Sequence, residues 1–526
     1  QQLQIQFNQS SQIRDLSRVE LFTGEASRLR TNAPLTIPLI TEFDGETLVG
    51  GLAGPLVVEM PRGLGTIVFN SLPLNNRAFQ SWDALPQFYR ILCQFPKLST
   101  NSSERKSNLL TQTGLSDFKT QWDAALADFG ITTPSVWIPL SLILATALIV
   151  GPVDYFLVRH LLRKPLLTWV TFPILAVLAT VWGVSSPGIP QKDGVQLGAS
   201  SAVMANRVTM IDYATDTHTV RVQDFTKLML PQTGRYDVTV PHQWPAPFEV
   251  DQSFTATSAV PEATYRGYYR VSGTHLDQTT YQIAAAEGKL LAAPAYERST
   301  ILIQSVGYQG VDEAQKPQTD SIIETTLSGT SSLQLSGEIR HHLPMPITDW
   351  ILAYDKLIYY VDEGSTLDEL GPGTTLQFPD RNIKQRELSA YLTGTTKQLV
   401  KREKGVGEDL IIRQLDYDVF ATDLEYIASL LTFHQMAGGS DYTHLTNLEL
   451  TSWDMSEQLR LGRAILFGRI ELPEGELAIR DEQISVGKRE AFVRFVIPVN
   501  RRQTGIEKLP DYRKKNEEET EASGKQ

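Results

Sequence analysis

The stretch VGPVDYFLVRHLLRKPLLTW, residues 150–169, decides how the chain is first read. Charge-free sequence runs into Gly151-Pro152, then Asp154, then the basic group Arg159, His160, Arg163 and Lys164, and then charge-free sequence resumes. Upstream, ITTPSVWIPLSLILATALIVGPV (131–153) carries no charged residue, and downstream LLTWVTFPILAVLATVWGVSS (166–186) carries none. Each run is long enough for a helix across a hydrocarbon core of about 30 Å, which takes about 20 residues. Trp137, Trp169 and Trp182 stand near the ends, where indole rings favour the interface. The pattern predicts a two-helix transmembrane hairpin over 131–186. Its basic turn sets the topology, because Lys and Arg flanking a span stay cytoplasmic and snorkel to the headgroups. Both flanking regions are then expected outside the cytoplasm. Two buried core helices are the competing reading of the same runs.

Asp154 is the polar exception. A carboxylate in hydrocarbon is costly, so it reads either as a proton or ion relay or as an interfacial residue paired with Arg159 or His160. The interfacial reading is preferred, since transport usually needs more spans and more intramembrane polar groups.

The rest of the 526 residues suffices for several domains. A net charge of -12 speaks against a nucleic-acid partner. One cysteine, Cys93, permits no intramolecular disulfide and so no disulfide-stapled module. Residue 1 is Gln with no signal peptide ahead of it, which reads as a processed chain or a fragment.

Residues 1–95 read as mixed α/β. GPLVVEMPRGLGTIVFN (54–70) predicts two strands, Pro55–Met60 and Thr66–Asn70, around a tight turn at Arg62–Gly65. The turn lacks the spacing of a phosphate loop. DALPQFYRILCQF (83–95) predicts a helix with Phe88, Ile91, Leu92 and Phe95 on one face and Cys93 buried inside the apolar pattern. GPLVVEMPRGLGTIVFNSLPL, with Trp82 and a helix after it, then GPVDYFL (151–157), a basic turn and TWVTFP (168–173), resembles a planctomycete-type bacterial membrane protein family. In that family a glutamine amidotransferase-like domain precedes a membrane hairpin. The resemblance implies a partial flavodoxin-like α/β domain here and no amidotransferase activity, because no Cys sits on a nucleophile turn. It also implies a bacterial inner (cytoplasmic) membrane location and a cell-envelope context. Residues 96–130 read as a linker, with a sequon at Asn101–Ser103, and a juxtamembrane helix.

Residues 190–404 are dense in short strands: HTVRVQDF, RYDVTV, YRGYYRV, STILIQSV and the stretch from Leu333 through Tyr360. They predict a large β-rich, sandwich-like extracytoplasmic domain. Neighbouring His341 and His342 on a strand would face opposite ways and share no metal ion. Residues 405–500 read as an α+β element. Thr422 and Glu425 suggest a capping box before DLEYIASLLTFHQM, and Asp454 with Glu457 another before MSEQLRL. RAILFGRIEL and AFVRFVIPV read as strands. The loop FHQMAGGSDYTHL places His434, Asp441 and His444 around Gly438-Gly439, either as a hydrolytic or metal site or as a helix end with polar neighbours. This loop with GRAILFGRI also resembles the C-terminal part of the same family. Residues 501–526 are charged and apolar-poor, the composition of a disordered tail.

The expected fold class is thus a multidomain membrane protein: partial α/β domain, hairpin, β-rich region and C-terminal α+β element. No catalytic residue, cofactor site or metal site is assigned. The expected function is a non-enzymatic membrane-anchored envelope protein, with the lipid bilayer and other envelope membrane proteins as partners. The alternatives are an extracytoplasmic hydrolase using the 434–444 loop and an accessory transporter subunit using Asp154.

Overall fold

The structure is a computed structural model. It describes residues 5–93 except 32, residues 118–129, single helical positions between 140 and 177, and residues 203–501. Within the last span, 240–253, 260–281, 285–287, 296–298, 310–321, 330–333, 402–407, 446–449, 473–476, 480–481 and 485 fall outside it.

The strands of the central sheet are β6 (Met204–Ala214), β7 (Thr219–Leu230), β9 (Phe254–Ala259), β12 (Ser299–Gln309), β16 (Ile347–Tyr354), β17 (Leu357–Tyr360), β18 (Glu369–Leu370), β20 (Lys384–Glu387), β23 (Arg463–Ile470) and β26 (Val486–Pro498). They form a ten-stranded sheet in the order β20-β17-β16-β23-β26-β6-β7-β12-β9, with β18 beside β16. Its pairs are antiparallel except β26 with β6, which run parallel. The sequence explains why the sheet lies inside. In AFVRFVIPV, Phe492 and Val496 enter one apolar core while Val493, Phe495 and Ile497 enter another. A strand buried on both faces reads as a continuous apolar run rather than an alternation.

On one face lie the helices α4 (Phe118–Ala125), α5 (Leu388–Leu392), α6 (Leu424–Thr432), α7 (Gly439–Thr443), α8 (Leu450–Trp453) and α9 (Ser456–Arg460). Phe118, Trp122, Leu431, Trp453 and Leu459 pack there against Phe225, Phe467 and Phe492. On the other face, β15 (Leu335–His341) pairs with β13 (Ile323–Thr325), β14 (Ser328–Gly329) and β19 (Thr375–Phe378), and β27 (Asn500–Arg501) joins β14. Leu335, Ile339, Leu376 and Phe378 close that core over Leu352 and Val493. A five-stranded sheet of β8 (Gly234–Thr239), β10 (Gln282–Ala284), β11 (Lys289–Ala295), β24 (Leu477–Ile479) and β25 (Glu482–Ile484) packs through Val238 and Leu290 on Leu228 and Ile303.

A buried ionic row ties the helical layer to the sheet. Arg494, Asp212 and Arg221 stand opposite one another on β26, β6 and β7. Asp212 accepts from Arg221 Nε at 2.6 Å and from Arg494 Nε at 2.5 Å and Nη2 at 3.0 Å. Arg494 Nη1 donates to the Trp453 carbonyl at 2.6 Å and to Thr432 Oγ1 at 3.1 Å, so one guanidinium holds the ends of α8 and α6. Burial alone would raise the Asp212 pKa, but the two guanidiniums hold it below the usual carboxylate value. Burial raises the neighbouring Asp454.

Residues 5–93 form β1 (Ile5–Ile13) paired with β2 (Leu35–Phe43), and a meander of β3 (Glu46–Gly51), β4 (Gly54–Arg62) and β5 (Gly65–Asn70). The helices α1 (Ser17–Thr23), α2 (Arg77–Gln80) and α3 (Leu85–Leu92) share a core with them through Val19, Val57, Phe79 and Phe88. The Arg62–Gly65 turn of the β4–β5 hairpin docks on the main body. Arg463 Nη1 donates to the Gly63 carbonyl at 2.9 Å, and its Nη2 pairs with Asp216 at 2.6 Å. Asp216 also accepts the Gly63 N–H at 3.0 Å.

Several expectations are corrected. Among the described residues no helix is long and apolar enough to cross a membrane, so the two-helix transmembrane hairpin, and the two-pass inner-membrane location that followed from it, are not retained. Residues 140, 144, 147, 148, 173, 174 and 177 are helical, and Leu140, Leu144, Leu148, Ile174 and Val177 are exposed. The rest of 131–186, with Asp154, Arg159, His160, Arg163 and Lys164, lies outside the described residues, as do the sequon and most of the tail. Freedom from charge is weaker evidence than sustained apolarity: the first run opens on Thr132-Thr133-Pro134-Ser135 and contains Pro139 and Gly151-Pro152. The N-terminal region is not flavodoxin-like. Its described strand pairs are antiparallel, whereas a flavodoxin-like sheet is parallel. The helix expected beside a membrane, α4, is instead core, with Phe118 and Trp122 fully buried. The β-rich region is not a sandwich closed at residue 404, because β23 and β26 complete the sheet begun by β6 and β16. The C-terminal α+β element is therefore part of the same body. Cys93 ends α3 and is exposed.

Candidate functional site

The 434–444 loop follows directly from α6. Asp423, not Thr422, caps that helix by accepting the Glu425 N–H at 3.0 Å. Gly438 (φ 116°) and Gly439 (φ 61°) then adopt left-handed backbone, which reverses the chain into α7. His434 points inward, with Nε2 2.8 Å from Thr443 Oγ1. That hydroxyl donates to the Gly439 carbonyl at 3.0 Å, so Nε2–H is the donor to Thr443. Burial lowers the pKa of His434 and keeps the ring neutral. Asp441 and His444 are exposed. The three residues do not converge: His434 is buried against Thr443, whose hydroxyl is tied to the Gly439 carbonyl, while Asp441 and His444 face solvent. His341 and His342 also diverge: the first is buried with Nε2 2.9 Å from the Leu370 carbonyl, and the second lies 3.5 Å from Glu324. Among the described residues, no group of three His, Cys, Asp or Glu side chains could hold a metal ion.

What the loop does build is support for a neighbouring surface. β21 (Thr396–Lys401) and β22 (Glu408–Arg413) form a separate hairpin, and the chain leaves β22 towards α6 through 414–423. This segment is held along its length. The Leu415 N–H donates to the Thr393 carbonyl at 3.1 Å, and Tyr442 Oη donates to the Leu415 carbonyl at 3.1 Å. From α4, Gln121 Nε2 donates to the Asp418 carbonyl at 3.2 Å while its Oε1 accepts from Tyr417 Oη. Asp418 Oδ1 accepts the Phe420 N–H at 2.9 Å. The Tyr417 ring stacks on Tyr426 at 6.3 Å and tilts against Tyr442 at 6.1 Å. Burial raises the pKa of Tyr417 and pushes Tyr442 up to about 12, so both phenols stay neutral donors.

On this pinned backbone Ile412 is 58% exposed, Leu415 67% and Phe420 68%. Asp416, Asp418 and Asp423 are exposed among them. Large apolar side chains in water are ordinary when scattered. Three within nine residues, on backbone whose ordering is already complete, match the anchors of a binding surface: apolar, tyrosine-flanked and preorganised. The sequence reading passed over IIRQLDYDVFATD (411–423), where Leu415, Tyr417 and Val419 alternate with aspartates over a stretch too short to settle its structure. Its mixture of large apolar residues with aspartates was the available signal.

No protein-family model matches the chain, and no curated protein matches it. Among solved structures it is similar to the yeast delta-COP-I mu-homology domain, at 9% identity and a TM-score of 0.20, covering 59% of this chain and 97% of that one. The same yeast domain complexed with a Dsl1 WxWxV peptide gives 9% identity, a TM-score of 0.17 and the same coverage. Likeness at that level carries no argument about this chain.

Proposed function

We propose that the protein is a non-enzymatic interaction module that docks a partner protein on the 412–420 segment. The observation that carries the reading is the exposure of Leu415 and Phe420 on backbone fixed by Thr393, Gln121 and Tyr442, with Ile412 exposed on the adjoining strand β22. Fixed backbone lowers the ordering cost of association, and central apolar and aromatic anchors carry most binding energy in such surfaces. The aspartates around the strip favour a partner whose apolar knob is ringed by Lys or Arg, which would speed encounter and fix register. The inward turn of His434 speaks against the hydrolase alternative.

The test is the double variant Leu415→Ser/Phe420→Ser, expressed at native level and followed by native electrophoresis of cell extract. Both side chains are solvent-facing, so the thermal midpoint should stay within about 2 °C of wild type, since surface changes fall within about 0.5 kcal/mol. The wild-type chain should migrate in a larger complex and the variant as the free chain. Identical migration of the two, with the fold intact, rejects the proposal.

A further inference from the structure

We infer that a second site, independent of the 412–420 surface, binds a phosphate group in a cavity of the N-terminal unit. The cavity, about 320 Å³, opens between the α1–β2 loop and α2, and is lined by Arg30, Thr31, Leu35, Asn76, Arg77 and Ser81 among others. Among the described residues no carboxylate lines it, although the whole chain carries a net charge of -12. Among the described residues neither guanidinium has an ion-pair or hydrogen-bond partner.

Both arginines ride on fixed backbone. Glu20 Oε1 accepts the Leu29 N–H at 2.5 Å, which anchors the loop just before Arg30. Asn76 Oδ1 accepts the Ala78 N–H at 2.9 Å, which fixes the turn carrying Arg77. The carbonyl oxygen of Asn76 is thereby engaged, so its amide Nδ2 is left to donate, as is the Thr31 hydroxyl. Leu35 is buried and forms part of the apolar wall. The four-residue α2 is too short to supply a helix dipole, so the positive potential comes from the side chains. Two planar guanidinium forks, an amide and a hydroxyl, with no carboxylate opposing them, match the several acceptor oxygens of a phosphate better than the two of a carboxylate. The volume falls at the small end of ligand pockets, which suits a phosphate monoester on a compact body.

The test is calorimetric titration of the intact chain with inorganic phosphate, using acetate as the carboxylate comparator at equal ionic strength. Wild type should show one saturable event, tighter for phosphate than for acetate. Arg30→Gln and Arg77→Gln should each weaken it about tenfold or more, the equivalent of one charge-assisted hydrogen bond. Arg381→Gln, at an exposed arginine elsewhere, should leave it unchanged. Unaltered far-UV circular dichroism would show that each variant folds. Absence of saturable heat, binding that survives both substitutions, or acetate binding as tightly as phosphate would each overturn the assignment. None of these outcomes bears on partner docking at 412–420.

Discussion

Replacing Asp212 by Asn is the sharpest probe of how the molecule is held together. The side chain keeps its volume and loses its charge. Asp212 is fully buried and accepts from Arg221 at 2.6 Å and from Arg494 at 2.5 and 3.0 Å. The asparagine offers one acceptor oxygen and turns an amide donor towards a guanidinium, while two cations are left in one dry site. Removing one partner of a buried ion pair costs about 3–5 kcal/mol, and the upper end applies because two guanidiniums lose the same anion. Against a typical stability of about 5–15 kcal/mol, that is a large fraction. Urea unfolding followed by tryptophan fluorescence would measure it, since Trp453 lies under the Arg494 guanidinium at 5.8 Å. The folded-state pKa of Asp212 lies below its ordinary 3.8, so its contribution is complete above that pH and lost as pH falls through the depressed folded value. The gap between wild type and variant should therefore narrow below pH 3.8. A loss under about 1 kcal/mol at neutral pH would refute the reasoning, since even a single ordinary hydrogen bond accounts for that much.

Three further outcomes follow from the same packing. Burial lowers the pKa of His434 and of His341 below 6.5, so stability should be full above pH 6.5 and decline as pH falls through the depressed folded values; His434→Gln should remove its share of that decline in melts between pH 7.5 and 5. Arg463→Gln should free the Arg62–Gly65 turn, speeding hydrogen exchange at the Gly63 amide about tenfold or more, the equivalent of about 1.5–3 kcal/mol of charge-assisted bonding. Gly337→Ala should cost about 2–5 kcal/mol in denaturant, because the position has φ 120° and an added Cβ would meet the Thr326 carbonyl and Leu327 Cα.

The sequence was most legible where one segment settles its own geometry. The β4–β5 hairpin lies where Pro55–Met60, Thr66–Asn70 and the glycines predict it. Leu424–Thr432 is helical where its apolar spacing predicts, and Ile351–Tyr360 is strand, turn, strand with Asp355 at φ 51°. Legibility failed where partners are remote. Nothing local in AFVRFVIPV says that it pairs in parallel with residues more than two hundred positions upstream, so the division at 404/405 cut through one sheet. The charges of Asp212, Arg221 and Arg494 look like solvated strand residues until three strands bring them together. The helix that carries Phe118 and Trp122 reads as juxtamembrane because hydropathy cannot tell a protein core from a lipid boundary. At the candidate surface the difficulty is reversed. Leu415 and Phe420 have the composition of core residues, and only the hydrogen bonds that spend their backbone elsewhere leave the side chains in water.

Docking at the 412–420 segment is tested most directly by placing a photo-crosslinking amino acid at position 420 in the living cell, with the same residue at Leu52, which is 91% exposed, as the comparison. Position 420 should yield a discrete higher-mass adduct that disappears when Leu415→Ser is added, and position 52 should yield none. Equal adducts from both positions, or none from 420, would contradict the account.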